Sequence, residues 1–225
     1  MGTQRHCLVS RKHLLRMTTL TQKTVDSSVK GYELGNQGFC RIALEAEKEL
    51  HAIEQSITDR GRALVSAGKL MGSFSRARCS SLRIYSALRI TLAAATEIAR
   101  NASSKITRGH ALPSPATAER ANLVNSLVRL NTIAVFNRRA SYAKTVLHIE
   151  EVRSTYEASH HRAGEDPEEL AISWCLEQIA EQAREIADGV TQHLESQISV
   201  SSRLMGDVPR AVSLKKAGLV GQLKW

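Results

Sequence analysis

Apolar residues recur every three or four positions along most of the chain, with polar and charged residues between them. This spacing places the apolar side chains on one face of an α-helix, where they can be buried against another helix. Short runs rich in Gly, Asn, Ser and Pro interrupt the pattern, and such runs end helices and form turns. The pattern therefore predicts six helices, which cover residues 13–34, 39–65, 82–106, 118–136, 140–161 and 167–198.

The six predicted helices form two groups of the same layout, in which a turn joins the first two helices and a loop precedes the third. One amphipathic helix cannot bury its own apolar face, whereas three packed helices can enclose a core. We therefore expect an all-α protein built as two tandem three-helix-bundle repeats of about 100 residues each. The expected organisation is a flexible basic N-terminus at 1–12, a first repeat at 13–108, a linker at 109–118, a second repeat at 119–198 and a flexible basic C-terminal tail at 199–225.

The composition agrees with an all-α protein, because only 4% of the residues are aromatic and only four are Pro. No apolar run approaches the roughly 20 residues needed to cross a bilayer. The basic first residues also lack the apolar core of a signal peptide. The four Cys residues are scattered without C-x-x-C spacing, which is typical of a protein in a reducing compartment. We therefore expect a cytoplasmic protein without an integral membrane segment.

The formal net charge of +9 is concentrated at the two ends of the chain. Residues 1–16 contain four cations and no acid, and residues 199–225 contain five cations and one acid, so the body of the chain is nearly neutral. Basic ends are most often solvated tails, although they can also contact nucleic acid or an anionic membrane surface. The sequence contains no zinc finger, aromatic platform or recognition-helix pair, which argues against nucleic acid as a partner.

The last predicted helix carries two carboxylates on one face. Glu177 and Glu181 lie four positions apart, which places them one helical turn from each other. Two interpretations of this pair are open. The first is a solvated helix face, which is what most charge runs form. The second is half of a carboxylate metal site of the kind that is built between packed helices.

The stretch around these two acids resembles the signature of the PhoU family, regulators of phosphate uptake that consist of two tandem three-helix repeats. The residues that match the signature directly are Leu176, Glu177, Ile179, Ala183, Ile186 and Ala187. Further segments at 43–54, 82–90, 122–127 and 146–151 resemble other parts of the family pattern, and together the resemblance spans residues 14–195. It implies the same two-repeat helical fold.

Members of the PhoU family bind metal clusters through the signature carboxylates, and this chain departs from the pattern in its first repeat. Ala95 and Ala99 stand where the first copy of the signature has Glu and Asp, and an Ala side chain cannot coordinate a metal. The cofactor that the resemblance implies is therefore a divalent metal or iron at the second repeat, and the alternative is that the acids serve only as surface or interhelical groups. The candidate metal ligands are Glu177, Glu181, Glu150 and Glu47.

The resemblance implies a non-enzymatic regulator of phosphate uptake and phosphate-starvation signalling. Its implied partner is the ATPase of a phosphate ABC transporter, a membrane sensor histidine kinase, or both, and the implied assembly is a homodimer. No H-E-x-x-H motif and no Gly-rich phosphate-binding loop occurs in the sequence, so we assign no catalytic residue. Two alternatives stay open at this point: a carboxylate metal-binding helical-bundle protein or enzyme, and a basic-tailed helical protein that binds nucleic acid.

Overall fold

The computed structural model describes residues 8–67, 76–109, 114–157 and 167–206. No strand occurs in these ranges, and no helix in them is both long and apolar enough to cross a membrane. The prediction of an all-α protein with six helices is confirmed. The helices in the described ranges are α1 (Arg11–Glu33), α2 (Gln37–Ser66), α3 (Arg76–Thr107), α4 (Pro115–Asn137), α5 (Ala140–Glu157) and α6 (Pro167–Gly206).

Capping residues explain why α1 and α4 begin earlier than their apolar spacing predicts. The Ser10 hydroxyl accepts a hydrogen bond from the His13 N–H (3.3 Å), and His13 Nδ1 accepts one from the Ser10 N–H (3.4 Å). The Ser114 hydroxyl likewise accepts from the Thr117 N–H (3.2 Å), with Pro115 opening α4. Caps satisfy N–H groups that a helix leaves unpaired, but they lie outside the apolar stripe, so periodicity alone does not reveal them.

Parts of the predicted ends and of the predicted linker lie outside the described residues, namely residues 1–7, 110–113 and 207–225. Most of the loop between α2 and α3 also lies outside them. Within the described ranges, α1 already begins at Arg11 and α6 continues through Gly206. The predicted domain boundaries stay predictions.

The three helices of each half pack against one another, and the two halves share an extensive interface. α1, α2 and α3 contact each other pairwise, as do α4, α5 and α6. α3 packs most extensively against α6, and α1 also packs against α4. The four helices α1, α3, α6 and α4 therefore enclose a common core, with α2 outside one half and α5 outside the other. Burial of apolar surface in this core is the main driving force for folding.

α1 is buried on more sides than its apolar residues predict, because several of its buried side chains are small and polar. Thr18 Oγ1 donates to the Leu14 carbonyl oxygen (2.7 Å), and Thr21 Oγ1 donates to the Leu88 carbonyl oxygen of α3 (3.3 Å). A short side chain can be buried when its hydroxyl group is hydrogen-bonded to a main-chain carbonyl oxygen, and it then allows neighbouring helices to pack closely. The buried Thr and Ser residues of α1 are Thr18, Thr21, Thr24, Ser27 and Ser28.

The turn between α1 and α2 is fixed by main-chain hydrogen bonds. Gly35 adopts a left-handed conformation (φ 58°), and the Asn36 N–H donates to the Gly31 carbonyl oxygen (3.0 Å). This is the geometry with which helices often end at a Gly. The Asn36 side chain then caps α2 by accepting from the Gly38 N–H (2.8 Å). The Gly-Asn turn predicted from the sequence therefore ends one helix and begins the next.

Gly31 allows α1 and α2 to approach closely, and we expect Gly31→Ala to lower the free energy of unfolding by about 1–3 kcal/mol. A Cβ atom at this position would lie 2.6 Å from Cys40 Sγ and 3.0 Å from the Cys40 backbone nitrogen. The matched control is Gly61→Ala in α2, where a Cβ atom would meet only the flexible Leu8 side chain (3.1 Å). Denaturant unfolding should show the Gly61 variant unchanged or stabilised by up to about 1 kcal/mol. Equal stability of the two variants would contradict the close approach.

Candidate functional site

The four predicted metal ligands lie on three helices. Glu177 (half-buried) and Glu181 (exposed) lie on α6, Glu150 is buried (4% exposed) on α5, and Glu47 is exposed on α2. Within the described ranges, no three His, Cys, Asp or Glu side chains form a group that could hold a metal ion. The side chains seen there do not assemble the several ligands that a bound metal requires. The metal role of these four residues therefore stays a prediction.

Glu47 takes part in an ion pair between α2 and α3. Arg100 on α3 donates a hydrogen bond from Nη2 to Glu47 and another from Nη1 to Glu97 (2.7 Å). Hydrogen bonding to Glu97 and the nearby charge of Glu47 raise the pKa of Arg100 above its usual value. The negative charge of Glu47 is thus paired with Arg100, which also lies in the first half of the chain. It does not join Glu177 and Glu181 on α6.

Ala95 and Ala99 are fully buried in α3, which packs against α6. The interface between α3 and α6 is tight near the start of α3, where a Cβ atom added to Gly189 would lie 2.7 Å from Ile84 Cγ1. Small residues of this kind allow two helices to approach closely. Ala95 and Ala99, which stand where the first copy of the family signature has acids, are therefore part of the apolar core in this chain.

Cys175 shows how apolar the interface between α3 and α6 is. Burial raises the pKa of the Cys175 thiol to about 11, and the negative charge of Glu97 adds to the effect. A thiol with a raised pKa stays protonated and is a poor nucleophile near neutral pH. Cys175 therefore behaves as a small core residue and offers no reactive group at this interface.

A buried carboxylate that the sequence analysis did not identify joins both halves of the protein. Glu169, near the start of α6, is 4% exposed. It accepts hydrogen bonds from Lys105 Nζ of α3 (2.5 Å), from the Tyr32 hydroxyl of α1, and from the Ser114 N–H (3.2 Å) at the cap of α4. We call Glu169, Lys105, Tyr32 and Ser114 the Glu169 cluster.

Electrostatics within the Glu169 cluster favour the ionised carboxylate. Burial by itself would raise the pKa of Glu169, but hydrogen bonds from Lys105, Tyr32 and the Ser114 N–H outweigh it and lower the pKa. From the sequence, Glu169 is one of two acids in the first turn of α6, where acids commonly interact with the helix dipole. The sequence also places Lys105 and Tyr32 near the ends of their predicted helices. The order of the helices does not show that these two residues contact Glu169.

A second polar cluster connects α1 to α4. Asp26 Oδ1 accepts hydrogen bonds from Arg129 Nη2 (2.7 Å) and Asn125 Nδ2 (3.2 Å), and Asp26 Oδ2 accepts one from Lys30 Nζ (2.7 Å). Burial opposes the ionised form of Asp26, but the three hydrogen bonds together lower its pKa. Each half of the protein therefore contacts the other through a charged group as well as through the core.

A basic groove lies where the beginning of α1 meets the end of α4, and it has a volume of about 510 Å³. Leu15 and Phe136 supply its apolar part. The sequence analysis identified the basic N-terminal region but assigned no role to Phe136, because nothing local indicates that α4 ends beside α1. The residues that line the basic groove are Arg11, Lys12, Leu15, Arg16, Thr19 and Phe136.

These features define a helical protein with two three-helix halves that pack around one core. The solved structure of PhoU from Pseudomonas aeruginosa is similar to it, with a TM-score of 0.57 and 18% sequence identity over 86% of this chain and 95% of that chain. No protein-family model matches the sequence, and no curated protein matches it. The chain therefore has a PhoU-like fold, as the sequence resemblance implied.

Proposed function

We propose that this protein is a non-enzymatic regulator of phosphate uptake and phosphate-starvation signalling. The observation that carries the proposal is the similarity of its fold to that of PhoU from Pseudomonas aeruginosa over most of both chains. The signature-like residues of α6, among them Leu176 and Glu177, add independent support from the sequence. The buried Glu169 cluster and the half-buried contacts of Asp26 have a structural role, because they connect helices of the two halves.

In this proposal the protein acts by binding. A helical surface that binds one conformation of its partner more tightly shifts the partner towards that conformation. The proposed partner is the ATPase of a phosphate ABC transporter, a membrane sensor histidine kinase, or both, and binding would take place at the cytoplasmic side of the membrane. We further propose that the protein acts as a homodimer, which sedimentation of the purified chain would test. The alternative metal-dependent function has no assembled ligand set among the described side chains to favour it.

Deleting the gene in its host is expected to raise phosphate accumulation and the expression of phosphate-starvation genes severalfold in phosphate-rich medium, because a repressing partner is lost. A plasmid copy of the wild-type gene should restore both values. An empty plasmid is the matched control. If both values stay at wild-type levels in the deletion strain, the proposed physiological role is wrong, whatever the fold.

A further inference from the structure

The basic groove combines positive charge with exposed apolar surface. Lys12 and Arg11 are exposed on the first turn of α1, and no ion pair involves either residue in the described part of the chain. Arg16 pairs with Glu49 of α2 (3.1 Å), although both side chains stay about half exposed. The groove therefore keeps at least two cations available to a ligand.

The positions of these cations are unfavourable for the helix itself. The N-terminal end of an α-helix carries partial positive charge, which favours acids there and disfavours cations. The first turn of α1 contains no acid. The pKa of the neighbouring His13 is lowered chiefly by burial, and the charges of Arg60, Lys12 and Arg16 lower it further.

The basic groove also has an apolar part. Phe136 is 41% exposed in a chain that contains only three Phe residues. Together with Leu15 it supplies the kind of aromatic and aliphatic surface that anchors a partner at protein interfaces. The long stems of Arg and Lys can extend such a surface while their charged ends stay in water.

We propose that the basic groove binds an acidic amphipathic helix of a partner protein. Its carboxylates would pair with Arg11 and Lys12, and an apolar side chain would contact Leu15 and Phe136. An amphipathic helix presents acidic and apolar side chains spaced three or four residues apart, which matches the mixture of cations and apolar side chains that line the groove. This inference does not depend on whether the partner belongs to phosphate transport.

The test measures binding of a fluorescein-labelled synthetic helical peptide that carries Glu residues beside an apolar face of Leu and Phe. The full chain and two groove variants, Lys12→Glu and Phe136→Ser, are compared by fluorescence anisotropy. We expect each variant to weaken binding about tenfold, because one removes a charge partner and the other an apolar anchor. Raised salt should weaken binding to the wild-type chain.

Two matched control variants distinguish binding at the basic groove from a general effect of surface charge or of exposed apolar side chains. Lys23→Glu reverses an exposed cation on the same helix outside the groove, and Ile90→Ser removes an apolar side chain that is also 41% exposed. Both should bind the peptide within about twofold of the wild-type chain, since surface changes away from an interface have small effects. Circular dichroism and thermal unfolding would verify that all four variants stay folded.

Several outcomes would overturn the proposal. One is no binding of the acidic peptide to the folded wild-type chain, and another is an equal loss of binding in the two control variants. Equal binding of a peptide whose Leu and Phe are replaced by Ser would show that the groove selects charge alone. Binding of phosphatidylglycerol vesicles or duplex DNA that is lost in Lys12→Glu, without peptide binding, would assign the groove to a membrane or to nucleic acid.

Discussion

Replacing Lys105 with Met is expected to lower the free energy of unfolding by about 3–5 kcal/mol, because it leaves the buried Glu169 carboxylate without its cationic partner. Met has a volume similar to that of Lys, so the lost stability reflects the missing positive charge and not a cavity. Denaturant unfolding at neutral pH measures it directly. The matched control is Lys23→Met on the exposed surface of α1, which should change stability by less than about 0.5 kcal/mol.

Removing the second charge should restore much of the lost stability. In the double variant Lys105→Met with Glu169→Gln, the side chain at 169 is neutral and can still accept hydrogen bonds from Tyr32 and the Ser114 N–H. We therefore expect the double variant to be more stable than Lys105→Met alone. The residues are in contact, so their effects are not additive. A double variant less stable than the single one would contradict the ion-pair explanation.

The pH dependence gives a separate measurement of the same pair. The pKa of Glu169 is lowered in the folded protein, so its stabilising contribution is present above the ordinary carboxyl value of 4.5 and is lost as the pH falls through the folded value. Without Lys105, burial dominates and the protonated form is favoured in the folded state. The stability difference between wild type and Lys105→Met should therefore shrink in acid. A difference that does not change with pH would assign the loss to packing instead.

The fold could be predicted from the sequence because amphipathic spacing is a local signal. Three-to-four-residue periodicity depends only on neighbours within one helix, and it gave all six helices of the described ranges with the correct order. Helix starts were less accurate, since Ser10 and Ser114 act through capping bonds outside the periodic stretch. The burial of small polar residues in α1, such as Thr21, depends on how many helices surround it, which periodicity does not encode.

The polar contacts could not be predicted in the same way, because their partners are distant in sequence. Glu169 receives hydrogen bonds from Lys105, 64 residues away, and from Tyr32, 137 residues away. The basic groove likewise joins Leu15 to Phe136 across two helices. The sequence supplied each residue type but not the packing of α1 on α4 or α3 on α6. By contrast, Glu177 and Glu181 could be placed on one helix face from their spacing alone.

Ala95 and Ala99 of α3 stand where the first copy of the family signature has acids, and their burial explains why small side chains suit these positions. In a helix, the side chain at 95 and the side chain at 99 lie one turn apart on the same face. Both are fully buried, whereas Ala93 of the same Ala run is exposed. The core around α3 therefore accommodates only small side chains such as those of Ala95 and Ala99 on this face. An acid at either position would place a charge in an apolar, close-packed environment.

We accordingly expect Ala95→Glu to lower the free energy of unfolding by about 3–5 kcal/mol, because it buries an unpaired carboxylate and overfills the core around α3. The matched control is Ala93→Glu, two positions earlier, which should change stability by no more than about 0.5 kcal/mol. Thermal and denaturant unfolding of both variants provide the comparison. If Ala95→Glu is as stable as Ala93→Glu in metal-free buffer, the core around residue 95 has room for an acid. The presence of Ala at this position would then need an explanation other than packing.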